Sequence, residues 1–361
     1  MRLEDNYVCG CIDLGSSYFR LLVVRELSGE EEKPFNGKRG EKTGRLNVIP
    51  YSIEGEPSSY RTEVFGKTVV ATESRRFVGW GRFLGRGIRV DRASLEIACT
   101  RLRELLIVSG EAGCPEPVLI GTNLFREAEN SAELKIALEE YTGLEVNVLS
   151  QKGEASLGFR GAMTVIGDTE KGVTVDLGGT STEIAYGLKG VFEDFISIPF
   201  GAQRVAEAVK NPFFNRAIYR RFVINGMGAL MEFIGDEPFF LKLIGMVKDS
   251  SCHLVLTGGT AVSLSVVYEF VRRGQLGIPE LVSMDIDEFE LIKRRVLDTF
   301  ALKREHRLPL ESSRVPLFLP GLTLLESILK TMGRTGFFIT PRDLRWGVVV
   351  SKGIFDTDEL L

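Results

Sequence analysis

Histidine is nearly missing from this chain: 361 residues carry only His253 and His306. That leaves little material for a histidine-rich metal centre or a histidine-based triad, and His306, inside the polar run KREHR, reads as solvated. Cysteine is sparse and odd in number, five in all, with Cys9 and Cys11 flanking Gly10 in an apolar stretch and no second pair at metal spacing. Reduced core thiols are the expectation, rather than a disulfide framework. No window holds eighteen or more apolar residues, which argues against a spanning helix. The opening MRLEDNYVCGCIDLG is charged before its apolar run, unlike a secretory leader, so the expectation is a cytoplasmic protein with no membrane partner. Positive charge is not in excess either: 45 basic against 49 acidic residues give a net charge of -4. Nucleic acid is therefore not an expected partner, and any polyanion must be met by a local basic pocket.

What the chain does have is enough length for two lobes of roughly 150 to 200 residues each. Its 26% charged and 44% hydrophobic residues fit a chain folded almost throughout. One sentence is written in it twice. CIDLGSSYFRLLVV (11–24) is an apolar strand, an aspartate, a Gly/Ser turn and a second apolar strand, and VTVDLGGTSTEIAYG (173–187) repeats the order. Between them SGEEEKPFNGKRGEKTGR (28–45) is charged and almost free of aliphatics, and reads as a mobile insertion. Residues 61–71 read as strand. Residues 91–110 read as a helix capped by Asp91 or Ser94 and ended by Gly110, and 117–123 as a buried strand. Asn130 with Glu133 forms a capping box for the next helix on this reading. LEVNVLS (144–150) alternates as a strand and opens into a helix at KGEASLGFRGAM, LVLTGGTAVSLSVVYEF (254–270) continues the alternation, and the remainder is mainly helical. The class is α/β.

Glycine-rich turns after a strand let backbone N–H groups approach an anion, and hydroxyls add donors. Either turn alone is equally well explained as a tight turn that needs small residues. Two in duplicate, each entered through an aspartate (Asp13 and Asp176), point to phosphate met by a divalent cation, because Mg²⁺ reaches phosphates through one or two carboxylates and several waters. Glu183, seven residues after Asp176, is either a second such carboxylate or a solvated strand residue. By local pattern Glu154 is a helix-start glutamate that suits the helix dipole, Arg126 is an ion-pair partner for Glu127 or a phosphate ligand, and Lys152 is left open.

The motifs IDLGSSYFRLLV, GTNLFREAEN, VLSQKGEASLGF, VDLGGTSTE, SIPFGAQRVAE, VLTGGTA and LFLPGLTLLESIL together resemble the exopolyphosphatase/guanosine pentaphosphate phosphatase (Ppx/GppA) family, within the actin, heat-shock chaperone and sugar-kinase superfamily. The resemblance covers nearly the whole chain. It implies two ribonuclease-H-like (actin-like ATPase) lobes, each a mixed sheet flanked by helices, around a central cleft. The first lobe would run over 1–150 with 344–361 and carry an insertion near 28–60; the second would run over 151–343 with a helical C-terminal part. It implies a Mg²⁺- or Mn²⁺-dependent phosphohydrolase acting on polyphosphate or a guanosine polyphosphate, with a homodimer as a further expectation. Glu154 falls on the general base, and Asp13, Asp176 and Glu183 on metal ligands. Gly15, Ser16, Ser17, Arg126, Asn130, Gly178, Gly179, Thr180, Ser181, Thr182, Gly258 and Gly259 fall on phosphate-binding positions.

Departures from the family pattern bear on activity. Thr180 stands where a third glycine is usual, Ser17-Tyr18 where Asn-Ser or Asn-Thr is usual, Gly153 before the base where glutamate is usual, Pro316 where aspartate is common and Trp346 where glutamate is common. A β-branched residue avoids positive φ, so Thr180 implies a loop that bends differently or a narrower phosphate pocket. Three functions follow. Retention of Asp13, Glu154, Asp176 and Glu183 favours the hydrolase; Thr180, Ser17-Tyr18 and Gly153 favour a non-catalytic sensor of a phosphorylated ligand; VLTGGTA alone favours an ATP-using kinase-like protein.

Overall fold

The computed structural model describes residues 8–26, 48–49, 58–60, 68–80, 89–166, 171–209 and 238–361. Most of the 28–60 insertion, and the first half of the strand expected over 61–71, lie outside them. Two compact units divide the chain: Met1–Leu157 with Leu344–Leu361, and Gly158–Asp343. The division falls inside the helix Gln151–Met163.

The first unit's strands are β1 (Val8–Leu14), β2 (Tyr18–Glu26), the two-residue β3 (Val48–Ile49), β4 (Ser58–Tyr60), β5 (Thr68–Phe77), β6 (Val118–Gly121) and β7 (Val146–Val148). All but β3 form one mixed sheet in the order β4-β5-β2-β1-β6-β7, antiparallel from β4 to β1 and parallel from β1 to β7. Strand alternation sorts β1 into two faces. Ile12 and Leu14, with Phe19, Leu21 and Val23 of β2, pack on Leu102 and Leu105 of helix Arg92–Glu111 and on Leu134 and Leu138 of helix Ser131–Thr142. Cys9 and Cys11, with Leu22 and Val24, pack on Leu157, Leu344, Trp346 and Val348 from the other side. Trp346, one of the departures noted in the sequence, therefore fills core. All five cysteines are free thiols, four of them buried.

The second unit holds β8 (Lys171–Leu177), β9 (Thr182–Leu188), β10 (Val191–Ile198), β11 (Cys252–Thr257), the short β12 (Ile278–Pro279), β13 (Val282–Asp285) and β14 (Gly336–Ile339). Its sheet runs β10-β9-β8-β11-β14-β13, with β11 parallel to both β8 and β14. The stretch read as mainly helical thus contains β13 and β14 of this sheet, β14 internal to it, besides the short β12. In both units a hairpin plus a third antiparallel strand leads into two parallel strands, so the duplicated sentence is a duplicated sheet. Helix Val315–Met332 is, among the described residues, the one long and apolar enough to cross a membrane, but 67% of it is buried within the protein. Pro316 lies in its first turn, where a missing N–H costs nothing.

Two helix ends differ from expectation. Asp91 caps Arg92–Glu111 by accepting the Ser94 N–H at 2.7 Å, but the helix continues through Gly110, and Gly113 supplies the left-handed turn at φ +88°. The capping box at Asn130 does not form. Its amide is committed elsewhere, accepting the Val90 N–H at 3.0 Å and donating to the Val90 carbonyl at 3.1 Å, while Glu133 pairs with Arg89 at the surface.

Candidate functional site

In the first unit the site grows from the end of β1. Alternation puts Asp13 on the same face as Cys9 and Cys11, and the β1–β2 register sets it opposite Arg20. Both Nε (3.0 Å) and Nη2 (2.5 Å) of Arg20 donate to Asp13 Oδ2, and Asp13 is 1% exposed. The intervening turn needs Gly15, since a Cβ there would lie 2.8 Å from the Tyr18 carbonyl. The Ser17 carbonyl accepts the N–H groups of Val78 and Gly79, which ties the turn down.

Glu154 and Arg126 belong to the same unit. Arg126 closes the short helix Asn123–Glu127, and its Nη1 donates to the Leu149 carbonyl at 2.9 Å while Nη2 donates to Glu154 Oε2 at 2.7 Å. Both side chains are mostly buried, 12% and 14% exposed. Burial pushes the Glu154 carboxyl above the usual glutamate range; the charge and hydrogen bond of Arg126 oppose this, Asp13 adds to it and Arg20 subtracts. A buried carboxylate with a raised pKa and a single guanidinium partner is poised for proton work. Arg126 thus pairs with Glu154, not with its neighbour Glu127. Lys152, left open by the sequence, pairs with Asp358 at the surface. Asn130 is a buried clamp on Val90, using one N–H and one oxygen lone pair of its amide.

The second unit presents the other glycine turn. Asp176 ends β8 opposite Glu183 of β9, so two carboxylates are direct cross-strand partners. Ser197 donates its hydroxyl to Glu183 Oε1 at 2.9 Å. The turn between them is fixed from outside: the Gly178 and Gly179 carbonyls accept the Ala202 and Gln203 N–H groups at 3.0 and 2.7 Å. Gly201 has to be glycine for this, since its Cβ would come within 2.5 Å of the Gly179 and Thr180 backbones. Thr180 is 7% exposed and is not among the positive-φ residues, so the turn closes without the strained backbone that its branched side chain would oppose. Ser181 lends its carbonyl to the Gly178 N–H at 3.1 Å. The Thr182 hydroxyl donates to the Phe200 carbonyl at 2.7 Å, which gives it a structural task.

Gly258 begins helix Gly258–Arg273 at φ +86°, and a Cβ there would stand 2.4 Å from Asp176 Oδ1. A Cβ on Gly259 would stand 2.0 Å from Nη1 of Arg314. The two glycines therefore admit a carboxylate and a guanidinium to the start of this helix. Among the described residues no three His, Cys, Asp or Glu side chains gather into a ready-made metal group. Asp176 and Glu183 nonetheless offer two opposed hard oxygen donors at a turn mouth, a donor set that suits Mg²⁺ or Mn²⁺ completed by waters and phosphate. Asp13, the third expected ligand, has its Oδ2 engaged by Arg20.

Two arginines escaped the sequence reading. Arg20 had a readable signal: with four residues between the last paired positions, residues seven apart become cross-strand partners, the spacing that also joins Asp176 to Glu183. Arg314 had none, since nothing local places it over Gly259.

Residues 88–220 match the family model described as the Ppx/GppA phosphatase family. Exopolyphosphatase 1 of Mycobacterium leprae is 25% identical over 360 residues, 95% of this chain and 88% of that protein. Among solved structures, the Aquifex aeolicus member of the Ppx/GppA protein family superposes with a TM-score of 0.71 at 18% identity, covering 96% of this chain and 97% of the other. An exopolyphosphatase from Cytophaga hutchinsonii gives a TM-score of 0.72 at 16% identity, covering 96% and 97%. At those identities the structures establish a shared fold.

Proposed function

We propose that this chain, which belongs to the Ppx/GppA phosphatase family, is a phosphohydrolase that releases the terminal phosphate of inorganic polyphosphate. The observation that carries the reading is the buried Arg126–Glu154 pair beside the Asp13–Arg20 pair. An ionised Glu154 orients a water and takes its proton as the oxygen attacks phosphorus in line. The P–O bond to the remaining chain breaks, and the shortened polyphosphate leaves. Arg126 and Arg20 stabilise the charge that spreads over the phosphoryl oxygens. No covalent intermediate is needed.

In the second unit the turn Gly178–Ser181 lies beside the two carboxylates that would hold a divalent cation, Asp176 and Glu183. Such a cation, when bound, neutralises phosphate oxygens and polarises the phosphoryl group. Two departures that spoke for a sensor have local structural accounts: Thr180 sits in ordinary backbone, and Gly153 leaves room for the Glu359 carbonyl.

Phosphate release is the test, with Mg²⁺ or Mn²⁺ supplied and long-chain polyphosphate or guanosine pentaphosphate in separate reactions, comparing the native chain with Glu154→Gln. Release from polyphosphate that Glu154→Gln abolishes supports the proposal. Cleavage of guanosine pentaphosphate alone would move the substrate, and binding without cleavage of either would replace hydrolysis by sensing.

A further inference from the structure

Glu154 sits in the first turn of its helix, the part that frays most readily because its N–H groups lack helical partners. Ser150 starts this helix: its Oγ accepts the Gly153 N–H at 3.0 Å, and its carbonyl accepts the Glu154 N–H at 3.0 Å. Ser150 is itself suspended from a distant stretch of the chain. Its N–H donates to the Glu359 carbonyl at 2.9 Å, and its hydroxyl donates to the Asp358 carbonyl at 2.8 Å. Leu360 bridges Leu149 in antiparallel fashion, the Leu361 N–H donates to the Val148 carbonyl at 3.0 Å, and Lys152 pairs with the Asp358 carboxylate. Glu359 is 1% exposed and closes a turn on Asp356 through both its N–H and its carboxylate.

The same backbone holds Arg126, whose Nη1 is bonded to the Leu149 carbonyl while Nη2 holds Glu154. Both ends of the ion pair therefore hang from residues 149–154, and that stretch is pinned by Asp358–Leu361. Gly153 completes the fit. A Cβ there would lie 2.1 Å from the Glu359 carbonyl oxygen, so the glutamate that the family carries before its base is incompatible with this segment in place.

We propose that the segment Asp358–Leu361 is a positioning element for Glu154, holding the start of its helix and the Leu149 carbonyl that orients Arg126. The inference rests on the hydrolase reading for its catalytic meaning, while the placement is measurable without turnover. Two variants separate the outcomes. Gly153→Ala adds one methyl group against Glu359 and otherwise favours the helix. Replacement of Asp358–Leu361 by Gly-Ser-Gly-Ser removes the side chains and stiffness of the segment with Gly153 intact.

Amide hydrogen exchange over residues 149–156 should rise by about tenfold or more in both variants, with residues 92–111 unaffected. Phosphate release from polyphosphate should show kcat lower by roughly tenfold to a hundredfold at a KM within about twofold, the pattern of a misplaced base rather than lost binding. Unchanged exchange in both variants overturns the proposal, as does raised exchange with unchanged kcat. Exchange that rises uniformly through residues 89–166 also overturns it, since the segment would then be a general strap. A native chain that releases no phosphate sinks the hydrolase reading alone, and the exchange at 149–156 then decides whether the segment holds the helix start.

Discussion

The two glycine-turn hairpins share one register and differ in one residue type. Each ends its first strand in aspartate, and each places the residue seven positions later directly across the pair: Arg20 opposite Asp13, Glu183 opposite Asp176. In the first hairpin opposite charges meet and neutralise each other. In the second, like charges face each other, which is unfavourable by itself and which a bound cation would resolve. The same register thus supplies an arginine paired with aspartate in the first hairpin and a carboxylate pair suited to Mg²⁺ or Mn²⁺ in the second. The duplication fixes where the groups sit, and a single codon decides what they attract.

The largest effect should come from breaking the second hairpin's charge. Asp176→Asn or Glu183→Gln should lower phosphate release from polyphosphate by about a hundredfold or more, by analogy with the loss of one electrostatic stabiliser in other enzymes. Either change should also abolish any rise in Tm that Mg²⁺ gives the native chain. Mg²⁺ stabilisation that survives both substitutions would place the cation elsewhere and dissolve the contrast between the hairpins.

In the first hairpin the matching substitution should act on stability. Asp13→Asn leaves Arg20, 29% exposed on its side chain, without its charge partner. Partial exposure discounts the cost of a broken buried pair to about 1–3 kcal/mol, read from urea unfolding. Mg²⁺ should stabilise this variant as much as it does the native chain. A neutral Asp13→Asn would mean that the ion pair does not hold the hairpin.

Glu154, beside the first hairpin's Asp13–Arg20 pair, gives a pH test. Burial raises the Glu154 carboxyl, so the ionised form needed to take a proton is lost as pH falls through a value above the usual glutamate range. The acid limb of kcat/KM should therefore lie on the alkaline side of an ordinary glutamate. Removing Arg126, which lowers this pKa, should carry the limb further upward: Arg126→Leu moves it to higher pH, at reduced rate. By the same sign, the contribution of Glu154 to folding is full below its unfolded-state pKa and is lost as pH rises through the raised folded value. A limb that stays put in Arg126→Leu would separate Glu154 from the observed ionisation.

The sequence made the sheets legible because their signal is local. Period-two alternation, an aspartate and a glycine turn are all within a dozen residues, and repeating them twice revealed a repeated sheet. It missed what depends on distant chain. Asn130 reads as a helix cap, but its amide is engaged by Val90, forty residues earlier. Gly153 reads as a weakened catalytic motif until Glu359 is seen against it. β14 lies in a stretch that reads as helical, because its parallel partner, β11, is about eighty residues away. Arg20 is legible from register alone, because the seven-residue spacing that pairs Asp176 with Glu183 also sets Arg20 across from Asp13.

The smallest expected effect is the most specific to the comparison. Without a divalent cation, Glu183→Gln removes a like-charge pair set directly across two strands and keeps an acceptor for the Ser197 hydroxyl. It should stabilise the second unit by about 0.2–1 kcal/mol, the range for cross-strand pairs, even as activity collapses. Adding Mg²⁺ should narrow or reverse the gap, because only the native chain gains from binding. The first hairpin predicts the opposite sign for its own neutralising change. Thermal unfolding of Asp13→Asn and Glu183→Gln with and without Mg²⁺ reads both signs in one series. Destabilisation in both would show that Asp176 and Glu183 already share a compensating partner, and that the hairpins differ less in charge than their register implies.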